Sequence, residues 1–198
     1  MSWAIWITGP PGSGKTTLAR GAAAALEARG IPVKVLELDE IREAITPRPT
    51  YADAERDVVY RALGYMAKLL VEAGVPVVID ATAHRQAWRD FARTLIPAFA
   101  EVQVRCPLEV CRAREETRHR EHAPAGIYAH SRPPGATVPG VTVPYEAPAK
   151  PDLVLDTHAC DVWTQVQEIV YLARRLGRLA SSRESRAQRR LPCESTTG

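Results

Sequence analysis

Nine residues near the start of the chain, "GPPGSGKTT" (9–17), restrict the fold more than any other stretch. They fit the pattern G-x-x-x-x-G-K-[ST] through Gly9, Gly14, Lys15 and Thr16, with a further glycine at Gly12. An apolar run, "AIWIT" (4–8), comes before them and a helix-like segment, "TLARGAAAALEARG", comes after. Strand, glycine-rich turn and helix in that order make a cradle for phosphate. The glycines let the backbone curl so that N–H groups point inward, and the helix N-terminus adds a positive dipole end. Gly9, Gly12, Ser13, Gly14, Lys15, Thr16 and Thr17 are therefore the expected nucleotide contacts. Lys15 is placed to reach the β- and γ-phosphates of ATP, and the Thr16 hydroxyl to hold Mg²⁺.

Such a loop needs a parallel sheet behind it, and the rest of the chain supplies one. Apolar runs at 33–38, 76–80, 101–106 and 152–156 read as further buried strands. Helix-like stretches near 14–29, 51–73, 85–95, 107–121 and 161–177 alternate with them. Gly30 and Gly74 stand where helix C-caps belong. Asp161 is a plausible N-cap for the last helix, whose apolar face is Val162, Val166, Ile169, Val170 and Leu176. The expected fold is α/β: a P-loop kinase domain over residues 1–177, with a five-stranded parallel sheet and helices on both faces. Residues 122–146 are rich in Pro and Gly and read as a lid. Residues 178–198 read as a disordered basic tail.

Composition narrows the partners. The net charge is +3, and the five Arg and two Glu from Arg178 onward account for all of it. A neutral body argues against a nucleic-acid partner. No apolar run is long enough to span a bilayer, and the N-terminus reads as a first strand rather than a leader, so a cytoplasmic protein is expected. The four cysteines, Cys106, Cys111, Cys160 and Cys193, show no metal-binding spacing and read as free thiols. The expected partner is a small-molecule acceptor, and the sequence is compatible with a homodimer.

The acceptor side of the site belongs over the carboxyl ends of the strands. There the stretch "LELDEIREAI" (36–45) turns from strand to helix and carries Asp39 and Arg42 three residues apart. Asp39 can orient or deprotonate an acceptor hydroxyl, and Arg42 can hold an anionic acceptor in the same cleft. Asp80 ends the apolar run "VVID" and reads as an acid held near Mg²⁺. Thr82 and Arg85 follow it as candidate phosphate or acceptor contacts. Lys15, Asp39 and Asp80 are thus the candidate catalytic residues, and Thr16 and Asp80 the candidate metal ligands.

Over most of residues 3–177 the chain resembles adenylylsulfate kinases, which phosphorylate the 3′-hydroxyl of adenylylsulfate with MgATP. The segments "AKLLVEAGVPVV" (67–78), "CPLEVCRAR" (106–114) and "VPYEAPAKPDLVLDT" (143–157) carry the likeness. Asp39 and Arg42 match the second acid and the arginine of the family's D-G-D-x-x-R motif. The resemblance implies that Arg114 packs by the adenine of ATP and that Arg56 and Arg61 bind the acceptor. Thr82 falls where the family carries a serine described as phosphorylated. A phosphate contact is the expected role here, because in-line transfer needs no covalent intermediate. The departures lie on the acceptor side. Val59 and Ala62 stand where the family has an asparagine and a second arginine, and Glu37 and Leu38 replace the first Asp-Gly. The stretch "DATAHR" (80–85) looks more like polynucleotide-kinase-type enzymes. Adenylylsulfate is the leading acceptor. Another hydroxyl acceptor (nucleoside, sugar or polynucleotide end) and a non-catalytic nucleotide-binding relative are the alternatives.

Overall fold

The computed structural model describes residues 2–117, 138–140 and 142–188. The lid expected over 122–146 lies mostly outside them. Within the described residues, five strands form one parallel sheet: β1 (Ala4–Thr8), β2 (Lys34–Glu37), β3 (Val77–Asp80), β4 (Phe99–Arg105) and β5 (Leu153–Asp156). Their spatial order is β2-β3-β1-β4-β5. The helices are α1 (Lys15–Glu27), α2 (Leu38–Ile45), α3 (Asp53–Glu72), α4 (Gln86–Leu95), α5 (Leu108–Glu116) and α6 (Val162–Gln188).

The central strand explains why its sequence reads as unbroken apolar residues. Ile5 and Ile7 face one core, shared with Leu18, Ala22 and Leu26 of α1 and Ile169 and Ala173 of α6. Ala4 and Trp6 face the other, shared with Val59 and Leu63 of α3 and Trp88 and Ala92 of α4. With both faces covered, every residue of β1 is buried. Small residues let the helices approach. A Cβ at Gly21 would come within 2.8 Å of Val166, and one at Gly64 within 3.3 Å of Ala92.

Several expectations need correction. The runs at 33–38 and 152–156 form edge strands, where only Leu36 and Leu155 are buried within β2 and β5. An edge strand has a neighbour on one side only, so its other residues meet solvent. The turn from strand to helix read in 36–45 does form, as α2, but Leu38, drawn as the strand's last apolar residue, already belongs to the helix. Val162, assigned to the apolar face of the last helix, is exposed. That helix runs on to Gln188, past the end drawn at 177, into the segment expected to be disordered. Leu176 and Ala180 are still buried against the domain, and a helix anchored that way extends past its last buried turn, because adding a residue costs far less than nucleating a helix. Gly30 and Gly74 do take left-handed conformations after α1 and α3, with φ of 75° and 85°. Asp161 does cap α6, accepting from the Thr164 N–H at 2.9 Å.

Candidate active site

The loop between β1 and α1 has the geometry its sequence calls for. Gly12 and Gly14 have φ of 74° and 96°, which other residues adopt only with strain. There is also no room for side chains. A Cβ at Gly9 would lie 2.6 Å from the Val104 carbonyl oxygen of β4, and one at Gly12 would lie 2.3 Å from that of Cys111 on α5. Lys15 and Thr16 are buried at the start of α1, whereas Thr17 is exposed. Lys15 Nζ donates to the Pro10 carbonyl at 2.9 Å, so the ammonium lies back across its own loop. Ser13 Oγ is buried without a hydrogen-bond partner among the described residues. A cradle that excludes Cβ atoms, with a lysine folded over it, fits the phosphates of a nucleotide.

Arg114 of α5 comes to this loop through a residue that the sequence did not single out. Its Nη1 and Nη2 donate to Thr157 Oγ1 and to the Thr157 carbonyl, at 3.0 and 2.8 Å. Thr157 Oγ1 in turn donates to the Ser13 carbonyl at 2.7 Å. The guanidinium is thereby fixed beside the P-loop.

Asp80 is buried at the end of β3, in register with Ile7 of β1 and Glu37 of β2. The neighbouring strand β1 leads into the P-loop, and Thr16 opens the helix after that loop; a carboxylate and a hydroxyl are donors that fit Mg²⁺ held partly through water. Glu37, which replaces the family's first acid, is engaged elsewhere. Arg20 of α1 grips its carboxylate from Nε and Nη2 at 2.6 and 2.8 Å.

The acceptor side gathers around Tyr51. Asp39 and Arg42 lie on α2, with Asp39 half-buried and Arg42 buried. The Arg42 guanidinium lies over the Tyr51 ring at 5.3 Å, and that of Arg56 over the same ring at 5.7 Å. Arg42 Nη1 donates to Glu55 at 3.2 Å, while its Nη2 is buried and unpaired among the described residues. Arg56 Nε donates to the Tyr51 carbonyl at 2.9 Å. Glu55 also accepts from the Thr50 N–H at 2.6 Å and the Tyr51 N–H at 3.2 Å. Burial opposes the charge on Glu55, yet these hydrogen bonds and the Arg42 charge hold its carboxyl below the ordinary value. Tyr51 itself has φ of 56°. Burial raises its hydroxyl above the usual value, so the ring stays neutral beneath two cations.

Other expected acceptor contacts are arranged differently. Arg61 is exposed, and its guanidinium packs over Phe91 of α4 at 4.1 Å; the structure does not bring it to Arg42 and Arg56. Five positions along α3 turn it away from the face that carries Arg56. Arg85 pairs with Asp53 and lies over Trp88 at 5.5 Å, at the exposed rim. The Thr82 carbonyl accepts from Thr8 Oγ1 at 2.5 Å, which ties the loop after β3 to the strand before the P-loop. Val59 is fully buried in the core, so an aliphatic side chain fills the place of the family's asparagine. Tyr145 Oη lies 3.0 Å from that same Thr8 hydroxyl, so the exit of the expected lid reaches the base of the site.

The chain is similar to known proteins over most of its length. The family model for adenylylsulphate kinase matches residues 1–156. A probable adenylyl-sulfate kinase of Archaeoglobus fulgidus is 36% identical over 162 residues, covering 81% of this chain and 99% of that protein. An adenylyl-sulfate kinase of Synechococcus sp. is 37% identical over 153 residues, covering 77% and 83%. Among solved structures, the Mycobacterium tuberculosis APS kinase CysC in complex with AMPPNP and APS superposes with a TM-score of 0.76 at 29% identity, covering 87% of this chain and 98% of that one. With the family model matching most of the chain and curated relatives above 30% identity covered over most of their length, the chain belongs to the adenylylsulfate kinase family.

Proposed function

We propose that this protein transfers the γ-phosphate of ATP to the 3′-hydroxyl of adenylylsulfate. The observation that carries the acceptor side is the buried Nη2 of Arg42, unpaired among the described residues and on the same short helix as Asp39. A buried guanidinium nitrogen without a partner is costly unless a ligand oxygen meets it. The phosphosulfate of adenylylsulfate offers such oxygens, and Arg56 stands across Tyr51 to share them.

The remaining roles follow from position. The P-loop amides and Lys15 hold the β- and γ-phosphates, with Lys15 leaving the Pro10 carbonyl for the anion. Thr16 and Asp80 would hold Mg²⁺, which would supply positive charge against the charge of the phosphates. Asp39 accepts the proton of the attacking hydroxyl or orients it. Arg114, fixed by Thr157, lines the adenine end of the nucleotide. Transfer here is mainly alignment and charge stabilisation, so these groups need only be placed and held.

One observation favours a second reading, transfer to another hydroxyl acceptor. Val59 is sealed in the core and cannot offer the amide the family uses. The test is incubation with MgATP and adenylylsulfate, following ADP release and the 3′-phosphorylated product. Absence of that product, with MgATP bound, rejects the reading.

A further inference from the structure

Successive backbone groups after β3 are each held by a different part of the molecule. The Thr82 carbonyl accepts from Thr8 at the end of β1, at 2.5 Å. The Ala83 N–H donates to Tyr60 Oη of α3 at 3.2 Å. The Ala83 carbonyl accepts from Arg89 Nη1 of α4. The His84 carbonyl accepts from the Glu146 N–H at 2.8 Å, at the lid exit. At the centre, Ala83 has φ of 38°. That conformation is unfavourable for any residue with a Cβ and persists only where the surroundings over-determine it.

The two side chains that grip Ala83 are themselves fixed. Tyr60 is buried and stacks on Trp88, with ring centroids 4.4 Å apart. Arg89 is fully buried against the Glu101 carboxylate, and its Nη2 also donates to the Glu146 carbonyl at 2.6 Å. Both carry rigid hydrogen-bonding groups to one strained residue. This turn leaves β3 directly after Asp80 and passes between the P-loop strand and the acceptor helices. If Ala83 relaxed to negative φ, the chain direction at Thr82 and His84 would change relative to Asp80.

We infer that Tyr60 and Arg89 are positioning residues for phosphoryl transfer: they clamp the N–H and carbonyl of Ala83 and so hold the acceptor-side turn against its own strain. The catalytic consequence rests on the kinase reading above; the clamp itself does not. A purely structural Tyr60 needs only its ring, which fills the core beside Trp88. A clamping Tyr60 needs its hydroxyl.

In the full-length chain, Tyr60→Phe keeps the stacked ring and removes the hydroxyl, which Ala83 shares with Arg56, so the rescue by Ala83→Gly is what assigns the loss to Ala83. We expect kcat for phosphoryl transfer to adenylylsulfate to fall by about 10- to 100-fold, the scale of a small misplacement of reacting groups. ATP affinity should stay within about twofold, because the P-loop is untouched. Amide exchange should quicken across residues 82–85 and not at Ala83 alone. Adding Ala83→Gly should recover a large part of kcat, since glycine adopts the same φ without strain. An unchanged kcat in Tyr60→Phe, or no recovery on adding Ala83→Gly, overturns the inference. If the wild-type chain transfers nothing to adenylylsulfate, the functional reading fails on its own. The exchange measurement then judges the clamp: spread over 82–85 supports it, and confinement to the Ala83 amide overturns it.

Discussion

Arg42 places its guanidinium 5.3 Å from the centre of the Tyr51 ring, gives one N–H to Glu55 and keeps a second nitrogen buried and, among the described residues, unpaired. An arginine held this rigidly presents a fixed fork, and a lysine cannot imitate it. Arg42→Lys should therefore raise KM for the acceptor by about 10- to 100-fold, the equivalent of one lost charge-assisted hydrogen bond of about 1.5–3 kcal/mol. KM for ATP should barely change. Initial rates with each substrate varied in turn check this; equal effects on both substrates would separate Arg42 from the acceptor.

Lys15 rests on the Pro10 carbonyl, so its ammonium is already beside the phosphate cradle. Lys15→Ala should lower kcat by ~10²–10³ or more, since no other group supplies that charge to the transferring phosphoryl. Single-turnover rates measure the loss, at MgATP concentrations that calorimetric titration shows to be saturating. Full turnover by the variant would remove Lys15 from the mechanism.

The two acids should fail differently. Asp39 lies on α2 beside the acceptor arginines, while Asp80 ends the strand next to the P-loop. Asp39→Asn should cut kcat by ~10²–10⁴ with ATP affinity nearly intact. Asp80→Asn should instead shift the Mg²⁺ dependence to higher concentration. Magnesium titrations of both variants distinguish the roles, and an Asp39→Asn protein with normal kcat would rule out the proton-accepting role.

His84 is buried against Trp88, in a T-shaped contact with ring centroids 5.0 Å apart. Burial first, and the charges of Arg56 and Arg85 next, push its pKa down from 6.5 to about 4. The folded protein therefore keeps the ring neutral, while the unfolded chain binds a proton below its ordinary pKa. The stabilisation is complete above the unfolded value and is lost as pH falls from there toward the folded value. Its full extent is roughly 3 kcal/mol, because each tenfold difference in proton affinity between the folded and unfolded chain is worth about 1.4 kcal/mol. Urea unfolding of wild type and His84→Asn across this range should show a steeper acid loss in the wild type. Parallel curves would mean that His84 does not titrate on unfolding.

Much of the nucleotide half was legible because its chemistry needs particular residue types at fixed spacing. Gly9, Gly12, Gly14, Lys15 and Thr16 could be named from nine consecutive letters, and strand and helix followed from the apolar period. Asp39 and Arg42 could be paired for the same reason, since three positions on one helix keep them close. Thr157, Arg89 and Tyr51 gave no such signal. Thr157 reaches Ser13 across 144 positions and Arg114 across 43, which only the folded sheet brings about. Arg89 looks like any helix-surface charge until Glu101 of β4 is placed beneath it. Tyr51 stands alone in a Pro-rich loop, and its importance comes from two arginines on different helices that converge on one ring. Arg61 shows the converse: the family resemblance implied an acceptor contact, and helical rotation delivered a Phe91 contact.

The identity of the acceptor is read from kcat/KM with MgATP for adenylylsulfate beside nucleosides, sugars and oligonucleotide ends. The highest value is expected for adenylylsulfate, with phosphate appearing at the 3′-position. Because Val59 is sealed in the core and Ala62 carries no charge, that value should lie below ~10⁶ M⁻¹s⁻¹, short of the diffusion-limited range. A higher kcat/KM for any non-adenylylsulfate hydroxyl would contradict adenylylsulfate as the acceptor.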